Sequence, residues 1–286
     1  MKTYAPLLLI VMALTACQKP APPKSLETPQ TVSADTTPGE TLQNIEDNLA
    51  QVAQITSPKN VVFDTVALGY QLPKAVQTVC QVGELVEEGQ IACPVIKIEL
   101  AKSKPEFIAQ TVNRAITNDD NPKLLKFKKS LDEFALEQVA TESATAFYKG
   151  IDIERLPDHK NLVQIAISTE EFMGGAHGMS WVDYKLFDTK LQTEITLDDL
   201  LLPDIDFYGV LDAAYDRALL EMFGNPDEIT PHKESYPLEM TNNVHFSDAG
   251  LEFVYQPYEL GPYMMGNITL VVPFAKLQGV IKPEYL

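Results

Sequence analysis

Basic side chains are scarce in this chain: 22 lysines and arginines stand against 40 aspartates and glutamates, a formal charge of −18 over 286 residues. Such a chain repels nucleic acid and anionic lipid headgroups, and it attracts a cationic partner. Acidity that serves solubility alone accounts for the balance equally well. Outside Leu7 to Leu14 there is no apolar run approaching the length needed to span a bilayer. Cysteine occurs only three times. No Gly-x-Ser-x-Gly elbow, His-Glu-x-x-His helix or Walker loop occurs, and no cysteines and histidines stand at metal-ligand spacing. We therefore expect no cofactor and no metal. No internal repeat is visible either. What remains is 45% hydrophobic, enough for one large or two modest domains with cores of their own.

The amino terminus carries an address. Lys2 forms a positive n-region, Leu7 to Leu14 a short h-region, and Leu14-Thr15-Ala16-Cys17 a bacterial lipobox. This pattern resembles the site where diacylglycerol is attached to a cysteine before cleavage. We expect residues 1–16 to be a signal peptide and Cys17 to be the lipidated first residue of the mature protein, anchored in the bilayer. Two or three acyl chains hold far better than one. The competing reading is an ordinary secretory signal with a chance cysteine. Gln18, where aspartate is absent, favours the outer membrane in lipoproteins of this kind, with the body facing the periplasm. Cleavage removes only Lys2 among charged residues, leaving the mature chain near −19. Residues 17–57 read as a tether rich in Pro, Thr and Ser, extended and disordered at first. Leu42, Ile45, Leu49 and Val52 then mark a short amphipathic helix over 41–55.

Cys80 and Cys93 remain after Cys17, in a compartment that permits disulfides. A bridge between them closes a short loop and contributes roughly 3 kcal/mol by loop entropy. The flanking Val79, Val82, Ile91 and Val95 predict a hairpin stapled by that bridge. A metal pair is the competing reading, weakened by the lack of histidine partners.

Periodicity then lays out the globular part. Strands are predicted at 61–68, 93–100, 162–168, 179–187, 244–255 and 266–273. A helix is predicted over 105–118, opened by Pro105, and a longer one over 123–149 with Leu124, Phe127, Leu131, Phe134 and Phe147 on its face. Thr196 to Asp199 matches a capping box. Residues 206–223 are the clearest helix, ended by Gly224, and 225–242 read as a loop. Strands and helices alternate without a repeated strand–helix–strand rhythm. The expected class is α+β: mostly antiparallel sheet packed with helices, in two closely associated subdomains, 58–170 and 171–286, after the tether.

Two segments form a recognisable pair. One is Gly174-Gly175-Ala176-His177, followed by a strand, Phe187-Asp188 and Ile195 to Leu200. The other runs from Leu251 through Tyr255-Gln256-Pro257-Tyr258-Glu259-Leu260-Gly261-Pro262-Tyr263 to Gly266 and Val271-Val272-Pro273-Phe274. Together they resemble the C-terminal domain shared by the anti-sigma-V factor, a lysozyme receptor, and PdaC-type peptidoglycan deacetylases. The resemblance covers most of 58–286, with 58–170 similar to the smaller domain that precedes it in such proteins. Gly178 stands where those proteins often carry proline, and Leu260-Gly261 where alanine is common. The resemblance implies ligand binding rather than catalysis, since the deacetylase chemistry belongs to a separate domain not seen here. No cytoplasmic anti-sigma segment is seen either, so signalling across the inner membrane is not expected.

The candidate binding residues are Gly174, Gly175, His177, Tyr258, Pro262 and Tyr263. The glycines permit positive φ and close approach, placing His177 at the mouth of the sheet. The tyrosines are stiff and amphipathic, and the prolines lower loop entropy, as binding anchors require. The plain structural alternatives are a His177 that fixes its turn and tyrosines that cover a sheet edge. Glu170 or Glu171 with His177 would make an acid–base pair, but adjacent strand residues do not aim at one point. Three functions follow, in order: an envelope protein that binds a protein ligand, a cationic muramidase such as lysozyme being the sharpest candidate; a peptidoglycan-binding module; and a hydrolase centred on His177.

Overall fold

The structure, a computed structural model, describes residues 57–286. The expected signal peptide, Cys17 and the tether with its 41–55 helix lie outside the described residues, Ser57 excepted. Among the described residues no helix is long and apolar enough to cross a membrane.

The fold is α+β. A six-stranded sheet runs in the order β1 (Val62–Ala67), β2 (Val95–Lys104), β3 (Tyr148–His159), β4 (Leu162–Phe172), β5 (Met179–Asp188) and β6 (Thr193–Ile195). All neighbours are antiparallel except β2 and β3, which run parallel. That parallel pair demands a crossover, supplied by α2 (Glu106–Thr117) and α3 (Leu125–Ala140); the short α1 (Lys74–Gln77) precedes β2. A second sheet has β7 (Val244–Phe246), β8 (Gly250–Tyr255) and β9 (Ile268–Pro273), all antiparallel. The remaining helices are α4 (Leu197–Leu200), α5 (Tyr208–Phe223), α6 (Ile229–Ser235) and α7 (Phe274–Leu277).

Strand β4 organises the packing because both its faces are buried. Val163, Ile165 and Ile167 join Ile108, Val112, Phe127 and Leu131 of α2 and α3 in one core. Leu162 faces the opposite way, into a core with Leu211, Tyr215 and Leu219 of α5 and Leu251, Phe253, Leu270 and Val272 of the small sheet. Period-two alternation makes this double use possible. The sheet runs unbroken through residue 170, so β4 carries the segments expected on either side of that boundary.

Three side-chain carboxamides join the two sheets. Gln164 of β4 is 1% exposed. Its Oε1 accepts the Phe246 N–H at 2.6 Å, and its Nε2 donates to the carbonyls of Phe246 at 3.0 Å and Pro157 at 2.7 Å. Pro157 lies in an irregularity of the β3–β4 ladder. Asn243 accepts the Tyr184 N–H at 2.7 Å and donates to the carbonyls of Val182 and Val254 at 2.8 and 2.9 Å. Gln256 accepts the Val182 N–H at 3.1 Å and donates to the Val182 carbonyl at 2.6 Å. Beyond the short reach of β6, Asn243 and Gln256 thus satisfy the backbone of β5 as a neighbouring strand would.

Four expectations need correction. The Cys80–Cys93 bridge is present, but it staples no hairpin. Gln81 and Ala92 form one parallel bridge, while the Val86 and Ala92 N–H groups donate to the carbonyls of Ala144 and Ser143. The long helix stops at Ala140, and Tyr148–His159 is a strand. Residues 225–242 contain α6 and a 3₁₀ turn at Pro226–Glu228. The strand expected over 244–255 is two strands, folded back at Ser247–Gly250, where the Ser247 N–H donates to the Gly250 carbonyl. The capping box holds as read: the Thr196 N–H donates to Asp199 Oδ2 at 2.8 Å.

Candidate functional site

The site is built on two connections. One is the β4–β5 turn. Gly174 and Gly175 have φ of 84° and 88°, a region that disfavours side chains, so the chain reverses here where other residues would strain. Gly178 ends the turn pressed against the Glu171 carbonyl; a Cβ there would lie 2.9 Å from that oxygen. The tight closure explains why glycine occupies this position.

The other connection is Gln256 to Tyr263, between β8 and β9. Its turn is closed twice: the Glu259 N–H donates to the Gln256 carbonyl at 3.1 Å, and the Gln256 N–H to Glu259 Oε2 at 2.6 Å. Leu260 fastens it from inside. The side chain is 1% exposed, and its carbonyl accepts the Tyr215 hydroxyl at 3.1 Å and His232 Nε2–H at 2.7 Å. That second bond fixes the His232 tautomer and comes from α6, the helix that the sequence reading missed. Burial raises the Tyr215 hydroxyl well above its usual range, so it stays a donor.

The two connections meet through aromatic rings. His177 stacks on Tyr263 with ring centres 3.9 Å apart and 17° between planes. Tyr258 leans on the other tyrosine at 5.8 Å and 33°. The Tyr263 hydroxyl donates to the Gly178 carbonyl at 2.7 Å, and His177 Nδ1 lies 2.9 Å from the same oxygen. A carbonyl only accepts, so Nδ1 carries a proton and Nε2 is the ring's other functional nitrogen. His177 and Tyr258 are exposed, Tyr258 by 54%; Tyr263 and Pro262 are half-buried. Met264 projects beside them, 90% exposed. Gly174, Gly175, His177, Tyr258, Pro262 and Tyr263 therefore lie on the two loops that this ring row joins. Tyr255 does not share the surface: it is 2% exposed and its hydroxyl donates to the Glu239 carbonyl at 2.6 Å.

Glu170 and Glu171, the acid–base candidates, are successive residues of β4 and point to opposite faces. Glu171 forms an ion pair with Lys149. Among the described residues no three His, Cys, Asp or Glu side chains converge as a metal site. Tyr258 also lines a cleft of about 400 Å³ with Tyr236, Glu239, Met240 and Glu259. Sequence reading missed this cleft, along with Asn243 and the sheet-joining role of Gln256. An isolated asparagine or glutamine carries no periodic signal, and the cleft draws on residues 235–260.

An α+β fold with two cores that share strands β4 and β5, and a ring row across two loops, defines the class. Residues 198–275 match the family described as "Protein of unknown function (DUF3298)". No curated protein matches the chain. Among solved structures, a DUF3298 family protein from Pseudomonas aeruginosa PAO1 superposes with a TM-score of 0.60 at 22% identity, covering 81% of this chain and 98% of that one. A member of the same family from Bacteroides fragilis NCTC 9343 gives 0.58 at 18% identity, covering 80% and 96%. At these identities the likeness is one of fold.

Proposed function

We propose that this chain is a non-catalytic binding protein of the bacterial envelope, held to the bilayer through an acylated Cys17, whose His177–Tyr263–Tyr258 face receives a basic protein ligand. The observation that carries the reading is the row of rings itself: two of the three are exposed, and hydrogen bonds to the Gly178 carbonyl hold the row in place. Pre-ordered aromatic side chains lose little entropy on binding and serve as anchors. A net charge of −18 speeds encounter with a cation. The resemblance of the two motifs to the anti-sigma-V domain makes a cationic muramidase such as lysozyme the first ligand to try. Outer-membrane anchoring with the body in the periplasm belongs to the same proposal. Catalysis ranks lower, because Glu171 is engaged by Lys149 and, among the described residues, no carboxylate is paired with His177.

Titration of the purified chain with lysozyme tests it. Binding should weaken as salt rises from about 0.05 to 0.2 M, since screening shortens the reach of exposed charge. His177→Ala and Tyr258→Ala, both at exposed positions, should each weaken it about tenfold. No binding at high micromolar lysozyme removes this ligand, and mass spectrometry finding Cys17 unacylated removes the anchor. A second reading, peptidoglycan, draws on the same exposed rings, since flat aromatic faces also suit sugar rings. It calls for sedimentation with purified sacculi, reduced by soluble wall fragments.

A further inference from the structure

We propose that the cleft beside Tyr258 is a receptor for one lysine or arginine side chain of the ligand. This deepens the binding reading above and rests on it. The cleft, about 400 Å³, is lined by Tyr236, Tyr258, Met240, Glu239 and Glu259, and by the buried Tyr255. No basic residue lines it. Aromatic faces attract an ammonium or guanidinium through their quadrupole, and carboxylates add charge-assisted hydrogen bonds. A thioether wall suits the aliphatic stem of either side chain. Neutral and acidic side chains gain none of this, and acidic ones are repelled.

The parts are held in place before any ligand arrives. Glu259 is fixed by the Gln256 N–H at one oxygen. Tyr258 stands at φ 76°, a conformation that a bulky residue rarely adopts, and the doubly closed turn holds it there. Its ring is shared: it leans on Tyr263 of the row and borders the cleft. A ligand docked on the row therefore presents a neighbouring side chain to the cleft. The Tyr255 hydroxyl reports the field there. Burial raises it above its usual range first, and the charges of Glu259 and Glu239 push it further.

The test uses the full chain and a labelled peptide with three arginines spaced by glycines, against a twin carrying citrulline, which keeps shape and loses charge. Fluorescence anisotropy should give the arginine peptide at least about tenfold tighter binding. Glu239→Gln with Glu259→Gln should abolish that preference; the amide oxygen introduced at position 259 still accepts the Gln256 N–H, so stability should fall by no more than about 1 kcal/mol. Glu84→Gln with Glu87→Gln, which removes the same charge from the disulfide loop, should leave the preference intact. Equal loss in both pairs, or no preference in the native chain, overturns the cleft. Lysozyme titrated against the same variants separates the two claims. Lysozyme binding that ignores the cleft pair sinks the receptor and spares the row. Peptide preference without lysozyme binding spares the receptor and removes lysozyme as the ligand.

Discussion

Gln164 offers the sharpest test of how the two sheets are held. Replacement by leucine removes an amide that pairs both backbone groups of Phe246 and the carbonyl of Pro157. The three losses are unequal. Pro157 is exposed, so water replaces its partner. The Phe246 carbonyl keeps a long contact with His245 Nδ1 at 3.4 Å. The Phe246 N–H, in a residue 4% exposed, is left with nothing. Orphaning one buried donor costs about 1–3 kcal/mol, and each of the milder losses about 0.5–1. Gln164→Leu should therefore lower stability by about 3 kcal/mol, a drop of about 1 M in the urea midpoint. Trp181, the sole tryptophan, lies on β5 and reports unfolding by fluorescence. Gln164→Glu sharpens the argument. Its carboxylate still accepts the Phe246 N–H but turns its second oxygen toward carbonyls that only accept, and protonation restores one donor. The folded-state pKa must then lie above the unfolded value of about 4.3, so the deficit grows as pH rises through and beyond that value and shrinks in acid. A leucine variant within about 0.5 kcal/mol of the parent, or a glutamate variant whose deficit ignores pH, refutes the reasoning.

Asn243→Ala should cost about 2–3 kcal/mol, at about 1 per bond lost, and should couple with Gln256→Ala because both amides donate to the Val182 carbonyl; a double-mutant cycle in urea measures the coupling, and strict additivity counts against it. Replacing Cys80 and Cys93 by serine should lower stability by about 3 kcal/mol, the loop-entropy figure for a loop of this length. Burial holds the His159 imidazole, stacked on Phe246 with centres 4.0 Å apart, below its usual pKa, outweighing the Tyr285 carbonyl at 2.8 Å, which favours the charged form. The unfolded chain then binds the proton first, so stability is full above about pH 6.5 and falls as pH drops through that value toward the lower folded pKa. Urea midpoints between pH 7.5 and 5 should fall less in His159→Gln than in the parent, and parallel slopes would remove the assignment.

Where one period ran long enough, the sequence was sufficient. The helices at Glu106–Thr117 and Tyr208–Phe223 and the strand at Val95–Lys104 each carry many turns or alternations of one signal. The misses have separate causes. Strand β3 alternates clearly only around Ile151 and Ile153, with Asp152 and Glu154 outward, and Phe147 falls in phase with the preceding helix by chance. The disulfide loop misled because two of the apolar residues that suggested a hairpin are on the surface: Val79 is 53% and Val82 96% exposed, and Glu84, Val86 and Ala92 bond to the backbone of 143–146. Pro231 hid α6, although the helix extends past it on both sides. The break at Ser247–Gly250 was in plain view as a Ser-Asp-Ala-Gly turn inside one apolar stretch.

The site divides along the same line. The resemblance to a known domain singled out the Gly174–His177 and Tyr258–Tyr263 segments, and paired glycines and a tyrosine–proline cluster are local signals that agree with it. Their meeting is not local: 86 residues separate His177 from Tyr263, and no periodicity spans that gap. What brings them together is the seam where Gln256 and Asn243 complete the edge of β5, which positions the β8–β9 connection against the β4–β5 turn. The same seam explains how Tyr258 tolerates its φ of 76°. Such strain, of order 1–3 kcal/mol, persists only when the surroundings over-determine it. Here Gln256 is pinned to Val182, Glu259 to Gln256, and Leu260 to Tyr215 and His232, so residues on both sides of Tyr258 are fixed. Glycine would suit that backbone better and would present no ring. Under the binding proposal, Tyr258 supplies at that position a half-exposed ring that borders the cleft.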